Sequence, residues 1–393
     1  MNDRAIHSPI DTEAALRRLI QLLEIPGPTG EEGAVADHVI RATRDAGVPA
    51  DCIHRDDAAS RISLPCQCGN VIVVLPGTIP GPRRLLSAHL DTVPLARGAI
   101  PVIQGERIVP AGPTALGGDD RTGVGALLTA LCELQRSRAA HPPLTFLFSV
   151  REETGLRGAA AVRPEDLGRP QLGFNFDGGL PEEVTLGATG AARLDIDVRG
   201  VAAHAGVHPE RGVSAIAVFA AAVSRLERGG WLGLVRKPEG AGTSNIGVVN
   251  AGDATNVVTD RLHARAEARS HDPVFLRRLV EEYERAFAEE AVVPRGESGA
   301  GGEASIGVEE SYASFRLPED HPTVLTASDA IRAIGLVPRT RISNGGLDAN
   351  WLTAKGIPTA TVGCGQREIH TAKEYVLIPE YLSACRVAVQ LTG

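Results

Sequence analysis

Hydrophobic residues in the first half of the chain follow two spacings in turn, one typical of helices and one typical of buried strands. Leucine and isoleucine recur at helical intervals after Asp11, which favours a capped helix to about residue 24. Residues 29–32 (Thr-Gly-Glu-Glu) have the form of a capping box and predict a second helix to about residue 46. A helical pattern also covers 122–134. Strands are predicted at 70–75, 83–91 and 144–150, and another strand is predicted to end at 174–176.

The pattern changes after residue 187. Residues 192–198 alternate between polar and apolar side chains, as a half-buried antiparallel strand does. The following elements are predicted as a helix at 213–226, strands at 245–249 and 262–269, a helix at 273–287, a flexible loop at 296–302 and a strand at 311–317. This order of strands and helices is that of the ferredoxin-like α+β motif.

From residue 321 the first pattern returns. Helices are predicted at 321–334, 347–354 and 379–391, and strands at 339–342 and 359–362. Strands that alternate with helices predict an α/β domain with a mostly parallel sheet and helices on both faces. We therefore expect a discontinuous α/β domain, 1–186 and 318–393, with a ferredoxin-like domain inserted at 187–317.

Composition narrows the class of protein. The 393 residues suit two domains, and 43% hydrophobic with 22% charged residues is typical of a globular protein. The net charge of -8, the absence of a basic block and the 4% aromatic content argue against nucleic acid as a partner. No apolar run is long enough for a membrane span, and the N-terminus opens polar, without an apolar signal core. The six cysteines lack a disulfide spacing, so we expect reduced thiols and a cytoplasmic enzyme.

Candidate chemistry begins where the strand at 83–91 ends. His89 and Asp91 lie two residues apart, so in an extended strand both side chains face the same side. Ligands of open α/β sheets bind at the carboxyl ends of the strands. A carboxylate beside a metal-binding imidazole can fix its tautomer and raise its basicity. An ordinary strand-end turn is the alternative interpretation of this pair.

Four further stretches carry metal-ligand residue types at or beside predicted strand ends: Asp119-Asp120, Glu152-Glu153, Asp177 and His370. Carboxylates and imidazoles together suit Zn²⁺, with Mn²⁺ or Co²⁺ as possible substitutes. A bridging carboxylate would let two metals about 3.5–4 Å apart use all of them. Of the adjacent pair Glu152 and Glu153, one carboxylate can bind metal while the other acts as a general base. Taken singly, these stretches also fit a helix cap, a solvated face, a turn and a surface histidine.

Together the stretches resemble the di-zinc metallopeptidases that include peptidase T (tripeptide aminopeptidase), glutamate carboxypeptidase, aminoacylase and succinyl-diaminopimelate desuccinylase. The Phe-Asp-Gly-Gly and Glu-Glu-Thr-Gly runs look most like the peptidase T branch. The motifs that carry the resemblance are Ser87-Ala-His-Leu-Asp-Thr-Val-Pro94, Leu116-Gly-Gly-Asp-Asp-Arg-Thr-Gly123, Arg151-Glu-Glu-Thr-Gly-Leu-Arg-Gly158, Phe176-Asp-Gly-Gly179 and Ile369-His-Thr-Ala-Lys-Glu374.

The resemblance implies a role for each matching residue. One zinc would be held by His89, Asp119 and Asp177, and the other by Asp119, Glu153 and His370, with Asp119 bridging. Asp91 would orient His89. Glu152 would be the base that deprotonates the metal-bridging water and then passes the proton to the leaving amine.

The resemblance also implies that the inserted domain is a lid and a dimerisation domain. His204 would stabilise the substrate carbonyl oxygen, and Asn256 and Arg269 would contact substrate, the arginine by a bidentate bond to a carboxylate. Gly345 would let the backbone approach the substrate. Two positions depart from the family: Arg121 stands in place of a usual lysine, and Leu347 in place of a usual threonine before Asp348.

We therefore expect a homodimeric di-zinc aminopeptidase acting on short peptides, most simply tripeptides. A related amidohydrolase acting on N-acyl amino acids, a carboxypeptidase, and a non-catalytic binding protein on the same fold are the alternatives. The presence of Glu152 and every expected ligand disfavours the last of these.

Overall fold

The computed structural model describes residues 10–295, 297 and 299–393. The polar N-terminal residues, and two positions of the loop predicted at 296–302, lie outside the described residues. The chain forms two compact units. The first comprises the described residues up to Ala188 together with Arg316–Gly393, and the second comprises Thr189–Phe315.

The described residues contain both helices and short strands in alternation. The helices are α1 (Thr12–Glu24), α2 (Gly33–Asp45), α3 (Ala58–Arg61), α4 (Gly118–Ser137), α5 (Arg157–Ala161), α6 (Ala215–Arg228), α7 (Pro273–Ala291), α8 (Pro322–Ala333), α9 (Asp348–Ala354) and α10 (Ile378–Thr392). The strands are β1 (Ile53–Arg55), β2 (Val71–Leu75), β3 (Arg84–His89), β4 (Pro101–Gln104), β5 (Arg107–Pro110), β6 (Leu144–Ser149), β7 (Leu172–Phe176), β8 (Glu183–Ala188), β9 (Gly190–Arg199), β10 (Gly233–Lys237), β11 (Gly240–Ala251), β12 (Arg261–Ser270), β13 (Glu303–Tyr312), β14 (Phe315–Arg316), β15 (Arg339–Ser343), β16 (Thr359–Val362), β17 (Gln366–Arg367) and β18 (Tyr375–Leu377).

The main sheet of the first unit has the order β1-β2-β6-β3-β7-β16-β8-β14, and β15 pairs with β8. Its central strands β6, β3, β7 and β16 run parallel. Leu85 and Leu86 are both fully buried although successive side chains point to opposite faces, so both faces of the sheet are covered. Leu352 of α9 packs with Leu85 and Ile72 on one of these faces. The predicted α/β architecture is therefore confirmed.

The second unit is an antiparallel sheet of order β10-β11-β12-β9-β13, packed against α6 and α7. Apart from β10 it follows the predicted strand-helix-strand-strand-helix-strand order. Along β9 the residues Leu194 and Ile196 enter the core with Phe275, while Asp195 between them is exposed. The inserted α+β fold is thus confirmed, with β10 as an additional edge strand.

Two local predictions are wrong. The last strand of the second unit is β13, which begins at Glu303 and not at 311, because the short alternation of Ala304 and Ile306 with polar or small residues is a weak local signal. The predicted capping box is also wrong, since α2 begins at Gly33 and the carboxylate of Glu32 bonds elsewhere. A further sheet, β17-β18-β5-β4, was not predicted because its strands have only two to four residues.

Within the described part of the chain, no helix has the length and apolarity that crossing a membrane requires.

Candidate metal and active site

The five predicted metal ligands lie at one edge of the first unit's sheet, or in segments that fold against that edge. Because β3, β6 and β7 are parallel, their carboxyl ends meet at the same edge. The ligands are His89 at the end of β3, Glu153 after β6, Asp177 after β7, Asp119 at the non-helical start of α4 and His370 after β17.

These residues form two groups that share Asp119. His89, Asp119 and Asp177 present ligand atoms within 4.8 Å of one another, and so do Asp119, Glu153 and His370. The two oxygens of Asp119 face different groups: Oδ1 lies 3.1 Å from Nε2 of His89, and Oδ2 lies 3.2 Å from Nε2 of His370. His370 Nε2 is also 2.9 Å from Oε1 of Glu153. This geometry matches a carboxylate placed between two cations.

The electrostatics of the site are dominated by crowded carboxylates. Burial raises the pKa of Asp177 to about 8, and the neighbouring charge of Asp119 contributes to the rise. Burial likewise raises the pKa of Glu152 well above its ordinary value, and Asp177 and Glu153 add to the effect. Hydrogen bonds to Asp119 and Glu153 raise the pKa of His370 to about 10. A site with this excess of negative charge attracts cations.

Asp91 contacts both the first histidine and the loop that carries Glu152. Its Oδ1 accepts a hydrogen bond of 2.9 Å from the backbone N–H of Glu152, and its Oδ2 accepts one of 3.2 Å from that of Glu153. Nδ1 of His89 lies 3.0 Å from the backbone oxygen of Asp91 and 3.5 Å from its Oδ1. The nearest support of the His89 ring is therefore a backbone oxygen, while the carboxylate chiefly positions the two glutamates.

Two further buried carboxylates accept backbone N–H groups in a similar way, a role that the sequence analysis did not predict for them. Asp120 accepts the backbone N–H of His89 at 3.1 Å and that of Gly123 at 3.0 Å. Glu32 accepts the N–H of Gly30 at 2.7 Å and that of Arg151, just before the two glutamates, at 3.1 Å. The bonds to His89 and Arg151 join segments that are distant in sequence, so local spacing gives no signal for them.

Arg121 and Asp348 are fully buried beside the ligands. The Arg121 guanidinium donates to the backbone oxygen of Leu90 at 2.5 Å and to that of Ile25 at 3.2 Å. Its burial lowers its pKa to about 10, although nearby carboxylates act in the opposite direction. Asp348 accepts a hydrogen bond from the Ser149 hydroxyl, and burial raises its pKa to about 6. The arginine at 121 thus bonds to the chain just after β3 and to the end of α1.

The predicted substrate contacts are divided between the two units. Gly345 lies in the first unit, where its N–H donates to Ser343 Oγ. His204 and Asn256 lie in the second unit, on segments joined by the bond from the Ala205 N–H to the Asn256 oxygen. Arg269 also lies there.

The Arg269 fork is engaged within its own strand. It is bonded to both oxygens of Glu267, at 3.1 and 3.0 Å. These bonds use the Nε and Nη2 donors of the guanidinium.

Comparison with known proteins places this site in a family. Residues 85–392 match the model of peptidase family M20/M25/M40, a match that includes every predicted metal ligand and Glu152. The chain belongs to this family. The resemblance to the peptidase T group, and the prediction of an enzyme that hydrolyses peptide bonds, are thereby confirmed.

The M20 peptidase is similar over almost its whole length to solved structures. Aminopeptidase PepT from Bacillus cereus is 31% identical with a TM-score of 0.83, and a tripeptidase from Staphylococcus aureus is 30% identical with a TM-score of 0.87. Both comparisons cover 98% of each chain. The uncharacterized protein YqjE of Bacillus subtilis is 30% identical over 97% of this chain and 98% of its own.

Proposed function

We propose that this M20 peptidase is a di-zinc aminopeptidase that releases the N-terminal residue of short peptides, with tripeptides as the preferred class. The observation that carries the proposal is the position of Asp119, whose two carboxylate oxygens each face a separate histidine. The neighbours titled aminopeptidase and tripeptidase support the choice of substrate.

The donor set fits a pair of metal ions. His89 and Asp177 with Asp119 would hold one, and Glu153 and His370 with Asp119 would hold the other. Imidazole nitrogen and carboxylate oxygen are ligands that zinc accepts. The raised pKa of Asp177 reflects burial and the nearby charge of Asp119, and a bound cation would stabilise the ionised carboxylates. Mn²⁺ or Co²⁺ would be accepted by the same set.

The metals and the residues around them have separate roles in the hydrolysis. When bound, the metals supply Lewis-acid polarisation of the scissile carbonyl and lower the pKa of water to about 7. Glu152 accepts a proton from the attacking water as the new carbon–oxygen bond forms. It then delivers that proton to the nitrogen as the carbon–nitrogen bond breaks, so the leaving group departs as a neutral amine. Asp91 holds Glu152 in place through its backbone N–H.

We also propose roles for the predicted substrate contacts. His204 would donate to the developing oxyanion, and Asn256 and Arg269 would bind the peptide, with Gly345 of the first unit as a close backbone contact. We also propose a homodimer formed through the second unit and a cytoplasmic location. Light scattering that detects only monomers would contradict the dimer.

A peptide panel with blocked ends tests the substrate class. An aminopeptidase hydrolyses the free tripeptide and its C-terminal amide but loses activity when the amino terminus is acetylated. A carboxypeptidase would instead fail to hydrolyse the C-terminal amide of the tripeptide. A deacylase would hydrolyse only the acyl-amino acid. Hydrolysis that persists with an acetylated amino terminus would overturn the proposal.

A further inference from the structure

Glu374 is a buried carboxylate that the proposed chemistry does not use. Its side chain is 1% exposed, and it follows the ligand His370 by four residues. One oxygen accepts the backbone N–H of Gly117 at 2.8 Å, and the other accepts that of Asp119 at 3.0 Å. The segment that carries the ligand His370 is therefore hydrogen-bonded to the backbone around the shared ligand Asp119.

The surroundings of this contact leave little room for either segment to shift. Gly118 lies between the two N–H groups that donate to Glu374. A Cβ atom there would lie 2.8 Å from Val376 Cγ2 and 3.2 Å from the Glu374 carboxylate. The N–H of Glu374 closes a turn onto the Thr371 oxygen at 3.1 Å. His370 has a left-handed φ of 64°, which few residues adopt unless the surroundings hold them there.

Asp119 needs such support because it lies outside regular structure. Its φ and ψ of -80° and 105° are not helical, although α4 begins beside it. Without Glu374, two buried N–H groups of this loop would lose their acceptors. The loop would then move to satisfy them, since unpaired buried donors are costly.

We propose that Glu374 is a positioning residue that fixes Asp119 relative to His370, and so sets the affinity of the metal site formed by Asp119, Glu153 and His370. This inference rests on the proposed di-metal function. The other site, which shares Asp119 but takes no ligand from the His370 segment, depends on Glu374 less.

Glu374→Gln is the first variant to measure, because glutamine keeps the shape and one acceptor oxygen while its NH₂ group opposes the second backbone N–H. Glu374→Ala removes both acceptors. The full-length zinc-loaded protein is titrated with a competing chelator, and the affinities of the two zinc sites are resolved. We expect the site formed by Asp119, Glu153 and His370 to lose about 10- to 100-fold in affinity, as loss of residues that support metal ligands does.

Glu133→Gln is the matched control. Glu133 is also buried, and it also accepts a backbone N–H, from Asp11 at 3.0 Å. It lies on α4 about 20 Å along the helix from Asp119, at 1.5 Å per residue. We expect its variant to lower the melting temperature but to keep both zinc affinities.

Three outcomes separate the explanations. Selective weakening of one zinc site in both Glu374 variants, with the control unaffected, supports the inference. Zinc affinities in both Glu374 variants equal to those of the wild type, with only lower melting temperatures, overturn it and leave the proposed function intact. A wild-type protein that binds no zinc overturns the proposed function and this inference together.

Discussion

The two units of this peptidase use charged residues in opposite ways. In the first unit, Asp91 and Asp120 are fully buried, and each accepts two backbone N–H groups from segments that carry metal ligands. In the second unit, several charges lie on the open face of the sheet. Asp197 and His263, for example, are 59% and 43% exposed and pair across strands at 3.2 Å.

The difference separates charges that organise a site from charges that cover a surface. Exposed ion pairs contribute little to stability because water and salt screen them. Buried carboxylates without partners would be costly, and Asp91 and Asp120 are each satisfied by two backbone N–H groups. The first unit thus gathers buried carboxylates at the edge of its sheet, whereas the buried residues of the second unit are mostly apolar.

The largest contrast is expected in the rate of hydrolysis. Glu152→Gln should lower kcat by about a hundredfold or more, the usual contribution of a general base, while zinc content stays unchanged. Asp197→Asn in the second unit is the control and should leave kcat unchanged. Steady-state kinetics on a tripeptide with metal analysis decide the point, and wild-type turnover by the glutamine variant would refute the assignment.

A core substitution in the second unit should show the reverse pattern. Leu279 is fully buried on α7, so Leu279→Ala should lower the free energy of unfolding by about 2–5 kcal/mol. Zinc content should not change. Val274→Ala, on the exposed side of the same helix, is the matched control. Denaturant unfolding measures the change in stability. A loss of zinc in the Leu279 variant would contradict the prediction that the second unit's core does not affect the metal site.

Removal of zinc should destabilise the first unit selectively. Ligand binding at a hundred times its dissociation constant stabilises the folded state by about 2.7 kcal/mol per site, and a chelator withdraws that stabilisation. Hydrogen exchange should accelerate around β3, β6 and the start of α4, and should stay unchanged in β9 and β12. Equal acceleration in both units would show that the metals support the whole chain.

The smallest predicted effect is the same in both units. Asp272 caps α7 by accepting the Val274 N–H, and Asp11 caps α1 by accepting the Ala14 N–H. Alanine at either position should cost about 1 kcal/mol of unfolding free energy, because an N-cap depends on local geometry alone. Thermal unfolding measures both variants. A cost that differs strongly between them would indicate that the surroundings of each cap matter.

Sequence reasoning succeeded where function and fold impose a local pattern. His89 ends one buried strand and Asp177 directly follows another, so their residue types and positions together predict a site at the sheet edge. Asp11 was predicted as a cap because capping requires only its neighbours. The parallel sheet followed from the same alternation of strands and helices.

The remaining features depend on contacts between distant segments. Glu32 lies in a stretch typical of a capping box. Its carboxylate instead accepts the N–H groups of Gly30 and of Arg151, and Arg151 is more than a hundred residues away in the chain. Glu374 lay within a recognised motif, but nothing in the motif indicates that it reaches Asp119. β13 begins earlier than predicted because the short alternation of Ala304 and Ile306 with polar or small residues is a weak local signal.

The central claim is that Asp119 serves two metal ions at once, and the zinc content of Asp119→Ala tests it most directly. Elemental analysis of the purified wild type should give two zinc ions per chain. Asp177→Ala and His370→Ala should each retain one, whereas Asp119→Ala should retain none tightly bound. An Asp119→Ala protein that still carries two zinc ions would contradict the account.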